Sequence, residues 1–555
     1  MNILAIIPAR GGSKGIIRKN LRLLNQKPLI SYQIANAVNS QFITDVVVTS
    51  DSNEILDYSS NFPVHLRKRP ADLADDKTTL DPVVNDATLY MEQEKDTEYD
   101  VVVTLQPTSP LLSLKTLDGA IENFIQEDIE TMLPVVDATH LQWKEENNYV
   151  LPDYEERVNR QWLPRKYKET GAFLITHREY VQEDSRFADN VNIFLLDELE
   201  GLDVDTDIDF LIAETLIKRL KIALVVNGNR DVGMGHIHRA LTIADGFIGH
   251  DIKFITYSSE PVSVELIKDG GYRVIETEKD LLTDVVDADI VINDILDTSK
   301  DYVNRLKDAG CFVVNFEDLD EGSSYAHLVF NALYEKTNPQ SNHRFGYEYE
   351  CLKEQFFLYQ PVKFRDSPRV LFVTFGGVDQ NNLTSRILNI APRLLEESSL
   401  EKIIVVLGGE YSHELEIPPD LDSIVEVHRK VENMPELMSQ ADIAVTSNGR
   451  TIYELASMAI PTISIAQNDR ETLHLFARYH KGINYLGISC TVQDDDLASS
   501  IIQLASNTDL RCKMYEELSE ASVVIRKGLT RIINEITSEY WKWKYDQEYQ
   551  RDEAG

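Results

Sequence analysis

The chain has few cysteines and spends them without a pattern. Four are spread over 555 residues, Cys311, Cys351, Cys490 and Cys512, all in the second half and with no C-x-x-C pair. That excludes a disulfide framework and a zinc cluster of ordinary spacing, and it suits a reducing, cytoplasmic setting. Nowhere do about eighteen apolar residues follow one another, so no membrane span is expected. The opening MNILAIIPAR carries no basic segment ahead of its apolar run, and reads as a buried first strand rather than a signal peptide. Positive charge is scarce as well: 55 Lys and Arg stand against 92 Asp and Glu, a formal net charge of −37. Such a balance argues against general binding to nucleic acid or anionic membranes. It leaves room for phosphorylated small molecules, which need only a local cluster of cations.

What the chain does have is alternation. Its length suggests two to four domains. Short apolar runs (ILAIIPA, DVVVTSD, VVVTLQPTSP, TMLPVV) are separated by helical stretches such as LISYQIANAVNS. This predicts an α/β fold, a mostly parallel sheet covered by helices. The pattern restarts near residue 220, where IDFLIAETLIKRL runs into KIALVVNGNRDVGMGH, and again at RVLFVTFGGVDQNN (369–382). The predicted organisation is one unit over 1–220, then two doubly wound lobes over 221–365 and 366–537 with a ligand crevice at their strand ends. Residues 538–555 are expected to form a helical extension whose aromatics pack.

Three local patterns carry chemistry. IPARGGSKGIIRKN (7–20) is a Gly-rich turn behind a strand, with Arg10, Lys14 and Lys19 nearby. Backbone N–H groups and cations there favour an anion such as phosphate, the other reading being a solvated basic turn. The pattern is not a Walker A loop. Asp203 and Asp205 form a D-x-D pair; on an extended segment both carboxylates share one face, which suits magnesium or else a solvated acidic edge. NGNRDVGMGHIHRALTIAD fails the G-x-G-x-x-G test because His238 takes the place of the third glycine, so a dinucleotide fold is disfavoured. His236 and His238, two apart where a helix begins, diverge around it and predict no metal.

Four islands, IPARGGSKGIIRKN, RPADLADD (69–76), LQPTSPLL (105–112) and LDVDTDIDF (202–210), together resemble the CMP-sialic acid synthetases and related CMP-ulosonate cytidylyltransferases. The resemblance spans nearly all of 1–218. It implies a Rossmann-like nucleotidyltransferase that passes CMP from CTP to a nonulosonic (nine-carbon acidic) sugar and releases pyrophosphate. Such a step is accelerated by positioning and by neutralising phosphate charge. By the same resemblance Arg10 and Lys19 hold the phosphates, and Gly11, Gly12, Ser13, Asn20 and Arg69 meet the nucleotide. Asp203 and Asp205 hold Mg2+, and Asp209 and Phe210 open the last helix. Gln106, Thr108, Ser109 and TGAF (170–173) meet the sugar. Arg165 matches loosely, as the partner of the sugar carboxylate or as a surface arginine. A homodimer through this unit is implied too.

GMGHIHR, FGGVD (375–379) and TSNGRTIYE (446–454) resemble the UDP-sugar hydrolase of pseudaminic acid synthesis, over about 221–525. That family shares the two-lobed GT-B arrangement of many nucleotide-sugar glycosyltransferases. The resemblance implies His236 as the general base on the attacking water, with Arg239 helping to hold the substrate. It implies Gly376 and Gly377 opening a helix N-terminus to the diphosphate, Ser447, Asn448 and Glu454 at the nucleotide, and no cofactor. Asn293 and Asp294 end a strand, where they meet sugar hydroxyls or simply close a turn. Nothing in 326–365 matches. The function expected is thus a bifunctional enzyme of nonulosonic acid synthesis, using CTP and a nonulosonic acid in one half and a UDP-sugar in the other. The rival readings of the second half are a UDP-sugar glycosyltransferase and a silent nucleotide-sugar-binding module.

Overall fold

The computed structural model describes residues 1–12, 15–75, 77–227, 235–256, 261–278, 286–334 and 340–554. The chain divides into two compact units, Met1–Arg219 and Leu220–Gly555.

In the first unit the apolar runs become β1 (Ile3–Pro8), β2 (Asp45–Ser50), β3 (His65–Lys68), β4 (Val101–Leu105), β5 (Thr131–Asp137), β6 (Tyr167–Glu169), β7 (Phe173–His177) and β8 (Val191–Leu195). They form one sheet in the order β6-β5-β7-β4-β1-β2-β3, with β8 beside β5. The sheet is only half parallel. β3, β2, β1 and β4 run together, while β7 lies antiparallel to both β4 and β5, and β6 antiparallel to β5. β1 and β4 are buried along their whole length, as continuous apolar strands covered on both faces must be. Helices α1 (Ile30–Asn39), α2 (Leu80–Lys95) and α3 (Leu114–Gln126) cover it, and α4 (Asp207–Ile217) closes the unit. Thr206 and Asp209 start α4 with a reciprocal capping box.

The second unit holds two fully parallel sheets. The first lobe contains β9 (Lys221–Val226), β10 (Asp251–Thr256), β11 (Arg273–Glu276), β12 (Ile290–Asp294), β13 (Phe312–Phe316), β14 (Leu328–Asn331) and β15 (His343–Phe345), in the order β11-β10-β9-β12-β13-β14-β15. The second contains β16 (Val370–Thr374), β17 (Lys402–Leu407), β18 (Val425–Arg429), β19 (Ile443–Ser447), β20 (Thr462–Ala466) and β21 (Ile483–Ile488), in the order β18-β17-β16-β19-β20-β21. Helix α5 (Gly235–Gly246) follows β9, α6 (Leu383–Glu397) follows β16, and α7 (Thr451–Ser457) follows β19.

The end of the chain is not a separate extension. The last helix, α8, runs from Gly528 to Ala554, so the expected break at 537/538 falls inside it. Ile532, Ile536 and Tyr540 on this helix are buried in the core of the first lobe, against Phe247 and Phe312. Their spacing of four residues places them on one face, which the first lobe needs to complete its core.

Candidate active sites

In the first unit a cavity of about 630 Å³ opens at the carboxyl ends of β1 and β4, next to where the sheet order reverses. Open α/β sheets bind ligands at this point. The cavity gathers Arg10, Lys19, Asn20 and Arg69 with Gln106, Thr108, Asp203 and Asp205. Several are held in place by hydrogen bonds. Asn20 donates through Nδ2 to Arg10 O at 2.9 Å and so fixes the turn of the loop. Lys19 Nζ donates to Val204 O and Asp205 Oδ1, both at 3.0 Å. The Val204 amide donates to Thr108 O at 2.7 Å, tying the two islands together. Arg69 is buried, donating to Thr49 O at 3.0 Å; burial, with Arg10 adding repulsion, lowers its guanidinium below the ordinary value.

Gly15 explains one glycine of the loop. A Cβ there would stand 2.4 Å from Asp205 O, so the loop backbone and the D-x-D backbone touch. Gly171 of TGAF similarly lies against the Gln106 amide, 3.1 Å from a built Cβ. Asp209 Oδ2 accepts from the Thr206 amide at 2.8 Å and from the Asp205 amide at 3.2 Å, which sets the orientation of the pair.

Several expected residues fall elsewhere. Gly11 is not in the cavity; its amide donates to Asp51 Oδ1 at 2.8 Å, so that N–H is already taken by a carboxylate. Gly12 is also outside the cavity lining and borders open space. Ser109 is fully buried behind the cavity, its carbonyl accepting from Gln33 Nε2 at 2.5 Å. Arg165 is exposed, raised above its ordinary value by a hydrogen bond to Tyr167, and does not line the cavity. Ser13 and Lys14 lie outside the described residues.

The donor set at Asp203 and Asp205 suits a divalent cation. Asp203 Oδ1 is buried without a hydrogen-bond partner. Burial pushes the Asp203 carboxyl above its usual range and Asp205 adds to that, against the opposing influence of the nearby Thr108 hydroxyl and Lys19. Two crowded carboxylates at the mouth of a cavity are what a hard cation with phosphate ligands requires. Among the described residues no group of three or more His, Cys, Asp or Glu side chains converges as a ready-made cage.

In the second unit a cavity of about 370 Å³ opens between the two lobes. His236, Arg239 and Glu317 line it from the first lobe, and Arg450, Arg470 and His474 from the second. His236 lies in the first turn of α5, and its Nδ1 is 2.5 Å from Oδ1 of Asp294, the last residue of β12. The same Nδ1 lies 3.1 Å from a terminal nitrogen of Arg239; in the tautomer whose Nδ1–H is directed at the carboxylate, Nε2 is the basic nitrogen. Asp294 is thus no sugar contact: it is fully buried and also grips Arg239, which donates to both its oxygens, from Nε at 2.5 Å and from a terminal nitrogen. Burial pushes the Asp294 carboxyl up, but Arg239 and His236 outweigh it and hold it below the usual range. Arg239, buried between Asp294 and Glu317, is braced by both carboxylates where it lines the cavity.

Glu317, Arg450 and Glu350 complete a charged seam that the sequence did not disclose. Arg450 donates to Glu317 Oε1 at 2.8 Å and to Glu350 Oε1 at 2.7 Å, joining the lobes. Glu317 has a left-handed backbone (φ 56°) and is 3% exposed. Burial pushes its carboxyl up to about 7 against the pull of Arg239. Arg450 alone carried a signal, within TSNGRTIYE.

The expected nucleotide residues of the second lobe do not line this cavity. The helix after Gly376 and Gly377 is already capped: the Leu383 and Thr384 amides donate to Asp379 at 2.8 and 2.9 Å, so a carboxylate occupies the place foreseen for a diphosphate. Asn448 ties the end of β19 to the carbonyls of Glu471 and His474 at 2.7 and 3.1 Å, with Ser447 buried beside it. Glu454 is partly buried in α7, its carboxyl raised by burial against the pull of Lys353. His238, two residues from His236, is pushed down to about 4 by burial and Lys353. The turn 228–234 lies outside the described residues.

A family model described as Cytidylyltransferase matches residues 4–216. A pseudaminic acid cytidylyltransferase of Campylobacter jejuni is 35% identical over 232 residues, which are 39% of this chain and 97% of the relative. The chain belongs to the cytidylyltransferase family. A CMP-N,N'-diacetyllegionaminic acid synthase of Campylobacter jejuni is 34% identical over 222 residues, covering 39% of this chain and 94% of the relative. Both alignments are the length of the cytidylyltransferase unit. A second family model, Glycosyltransferase family 28 C-terminal domain, matches residues 370–535 and makes the second lobe glycosyltransferase-like. The crystal structure of MurG from Acinetobacter baumannii covers 57% of the chain and 99% of its own length, at 13% identity and a TM-score of 0.41, too low to bear on function. Among the described residues no helix is long and apolar enough to cross a membrane.

Proposed function

We propose that the cytidylyltransferase unit transfers CMP from CTP to a nonulosonic acid of the pseudaminic or legionaminic kind, and that the second unit hydrolyses a UDP-sugar. The observation that carries the first half is the cavity in which Arg10, Lys19 and Arg69 face Asp203 and Asp205. Arg10 and Lys19 neutralise the triphosphate, Arg69 and Asn20 seat the nucleotide, and Gln106 and Thr108 meet the sugar. Asp203 and Asp205 would hold Mg2+, which when bound offsets phosphate charge as pyrophosphate leaves. A sugar hydroxyl oxygen bonds to the α-phosphorus in line, the bond to pyrophosphate breaks, and the hydroxyl proton passes to solvent or base. The relatives named for pseudaminic and legionaminic acids support this acceptor class. Mixing the chain with CTP, Mg2+ and either acid tests it; no pyrophosphate from either acid refutes it.

For the second half the His236–Asp294 pair in the inter-lobe cavity is the supporting observation. Nε2 of His236 removes a proton from the attacking oxygen, and Asp294 holds the ring in that tautomer. If the oxygen is water, free sugar and UDP result. The family match of the second lobe favours a second reading, in which the oxygen belongs to an acceptor sugar. A panel of UDP-sugars separates the two: a hydrolase releases UDP without an acceptor, whereas a transferase leaves the UDP-sugar intact.

A homodimer through the cytidylyltransferase unit is part of the proposal. The hairpin Trp143–Glu146/Tyr149–Pro152 exposes Trp143, Tyr149 and Val150, and β8 exposes Ile193 and Leu195, apolar side chains that a second copy would cover. Sedimentation of Trp143→Lys against the parent tests this, and a parent that sediments as a monomer refutes it.

A further inference from the structure

Arg239 has two carboxylates to serve. Its Nε and one terminal nitrogen are on Asp294, and its other terminal nitrogen is 3.4 Å from Glu317 Oε1. Asp294 in turn serves two cations, since the same Oδ1 that meets Arg239 also meets His236 Nδ1. Glu317, Arg239, Asp294 and His236 therefore form one cluster of alternating charge, in which Arg239 reaches the imidazole through Asp294 and also directly, a terminal nitrogen lying 3.1 Å from His236 Nδ1. A guanidinium that grips Asp294 fully cancels the carboxylate's pull on the imidazole. A guanidinium drawn towards Glu317 cancels less. Glu317 itself is held by Arg450 from the other lobe at 2.8 Å, and Ala332 donates to it at 3.3 Å. The left-handed backbone at this buried glutamate is a conformation the fold must impose.

We propose that Glu317 is a positioning residue for His236, acting through Arg239: by sharing that guanidinium it sets how strongly Asp294 draws on the imidazole. The proposal rests on the reading of His236 as the base of the second unit. It adds that Arg450 ties this setting to the approach of the lobes, because the cation that neutralises Glu317 is carried by the second lobe. Two further charged groups bear on Glu317: Arg470 of the second lobe, which also donates to Tyr334 at 3.2 Å, and Glu350, which shares Arg450 with it. Glu471 and His474 line the cavity from the second lobe.

The test is a titration of the His236 ring by NMR in the full chain, with histidine isotope-labelled and the signal assigned by its loss in His236→Asn. Where the Glu317 carboxyl, raised to about 7, is ionised, Glu317→Gln leaves Arg239 wholly to Asp294 and moves the midpoint to lower pH, by roughly half to one unit. Arg239→Gln frees Asp294 for the imidazole and moves it to higher pH. In the Arg239→Gln background the Glu317 change then has almost no effect, under about 0.2 unit, since its route is gone. Equal effects of Glu317→Gln in both backgrounds, or no effect in either, overturn the proposal. If one single variant fails to fold, the direction of the other decides. The titration needs no substrate, so a parent chain that releases no UDP refutes the hydrolase reading while leaving this measurement to stand or fall by itself.

Discussion

Replacing Gly15 by alanine puts a methyl group into the most crowded contact of the cytidylyltransferase site. The added Cβ would lie 2.4 Å from the carbonyl oxygen of Asp205, against 3.4 Å for ordinary contact, so loop and D-x-D segment must part by 3.4 − 2.4 = 1.0 Å. Neither side yields cheaply. The Asp205 amide is held by Asp209, and the preceding carbonyl is held by Lys19 at 3.0 Å. The movement therefore separates Arg10 and Lys19 from Asp203 and Asp205, the two groups that must close on one triphosphate. A misplacement of about 1 Å in a positioned phosphoryl transfer costs on the order of 100-fold in rate. Pyrophosphate release from CTP with pseudaminic or legionaminic acid is the assay, with the thermal melt recorded alongside. Gly12→Ala is the matched control, because nothing lies within 4 Å of its built Cβ. A Gly15→Ala protein that melts like the parent and turns over within about threefold of it refutes the reasoning.

Asp205→Asn is expected to abolish most pyrophosphate release, more severely at limiting magnesium, while release of UDP from a UDP-sugar is unchanged. His236→Asn should slow UDP release by roughly 10²–10⁴-fold with its melt preserved, and His238→Asn should not; a tenth or more of the parent rate in His236→Asn removes the base assignment. Stability should also depend on Glu317. Its carboxyl is raised from 4.5 to about 7, so the folded state keeps a proton that the unfolded state loses. The sign is that this contribution is complete below 4.5 and disappears as pH rises through about 7. The whole span is worth about 3 kcal/mol. Melts of the parent between pH 5 and 8 should fall with rising pH and flatten in Glu317→Gln; an unchanged slope in the variant counts against it.

The alternation of apolar runs and the islands around Arg10, Arg69, Gln106 and Asp203 were legible because each is local. A strand end, a Gly-rich turn and a D-x-D pair all declare themselves within a dozen residues. The antiparallel half of the first sheet was not, since TMLPVV reads the same whichever way its neighbours run. The part played by Asp294 was hidden for a related reason. It meets His236 across 58 residues of sequence, and a strand-end aspartate has no mark of its own until the helix packs over it. Glu317 and Glu350 depend on still longer closures, reaching Arg450 across 133 and 100 residues. Asp379 misled in the opposite sense. The glycines of FGGVD point to an anion at a helix start, and the anion proves to be a carboxylate from the chain itself.

The return of the last helix onto the first lobe means that the two lobes are joined twice. One crossing runs forward after Glu350, and the other runs back at Arg526–Gly528. The crossings lie side by side: Arg526 donates to the carbonyls of Phe356 and Tyr359 at 2.8 and 3.0 Å, and a Cβ on Gly528 would be 2.1 Å from Glu350 O. Two bodies joined at a single point can swivel in any direction. The two joints, set side by side, leave the lobes less freedom than one would, and the Arg450–Glu350 ion pair adds a third tie between them.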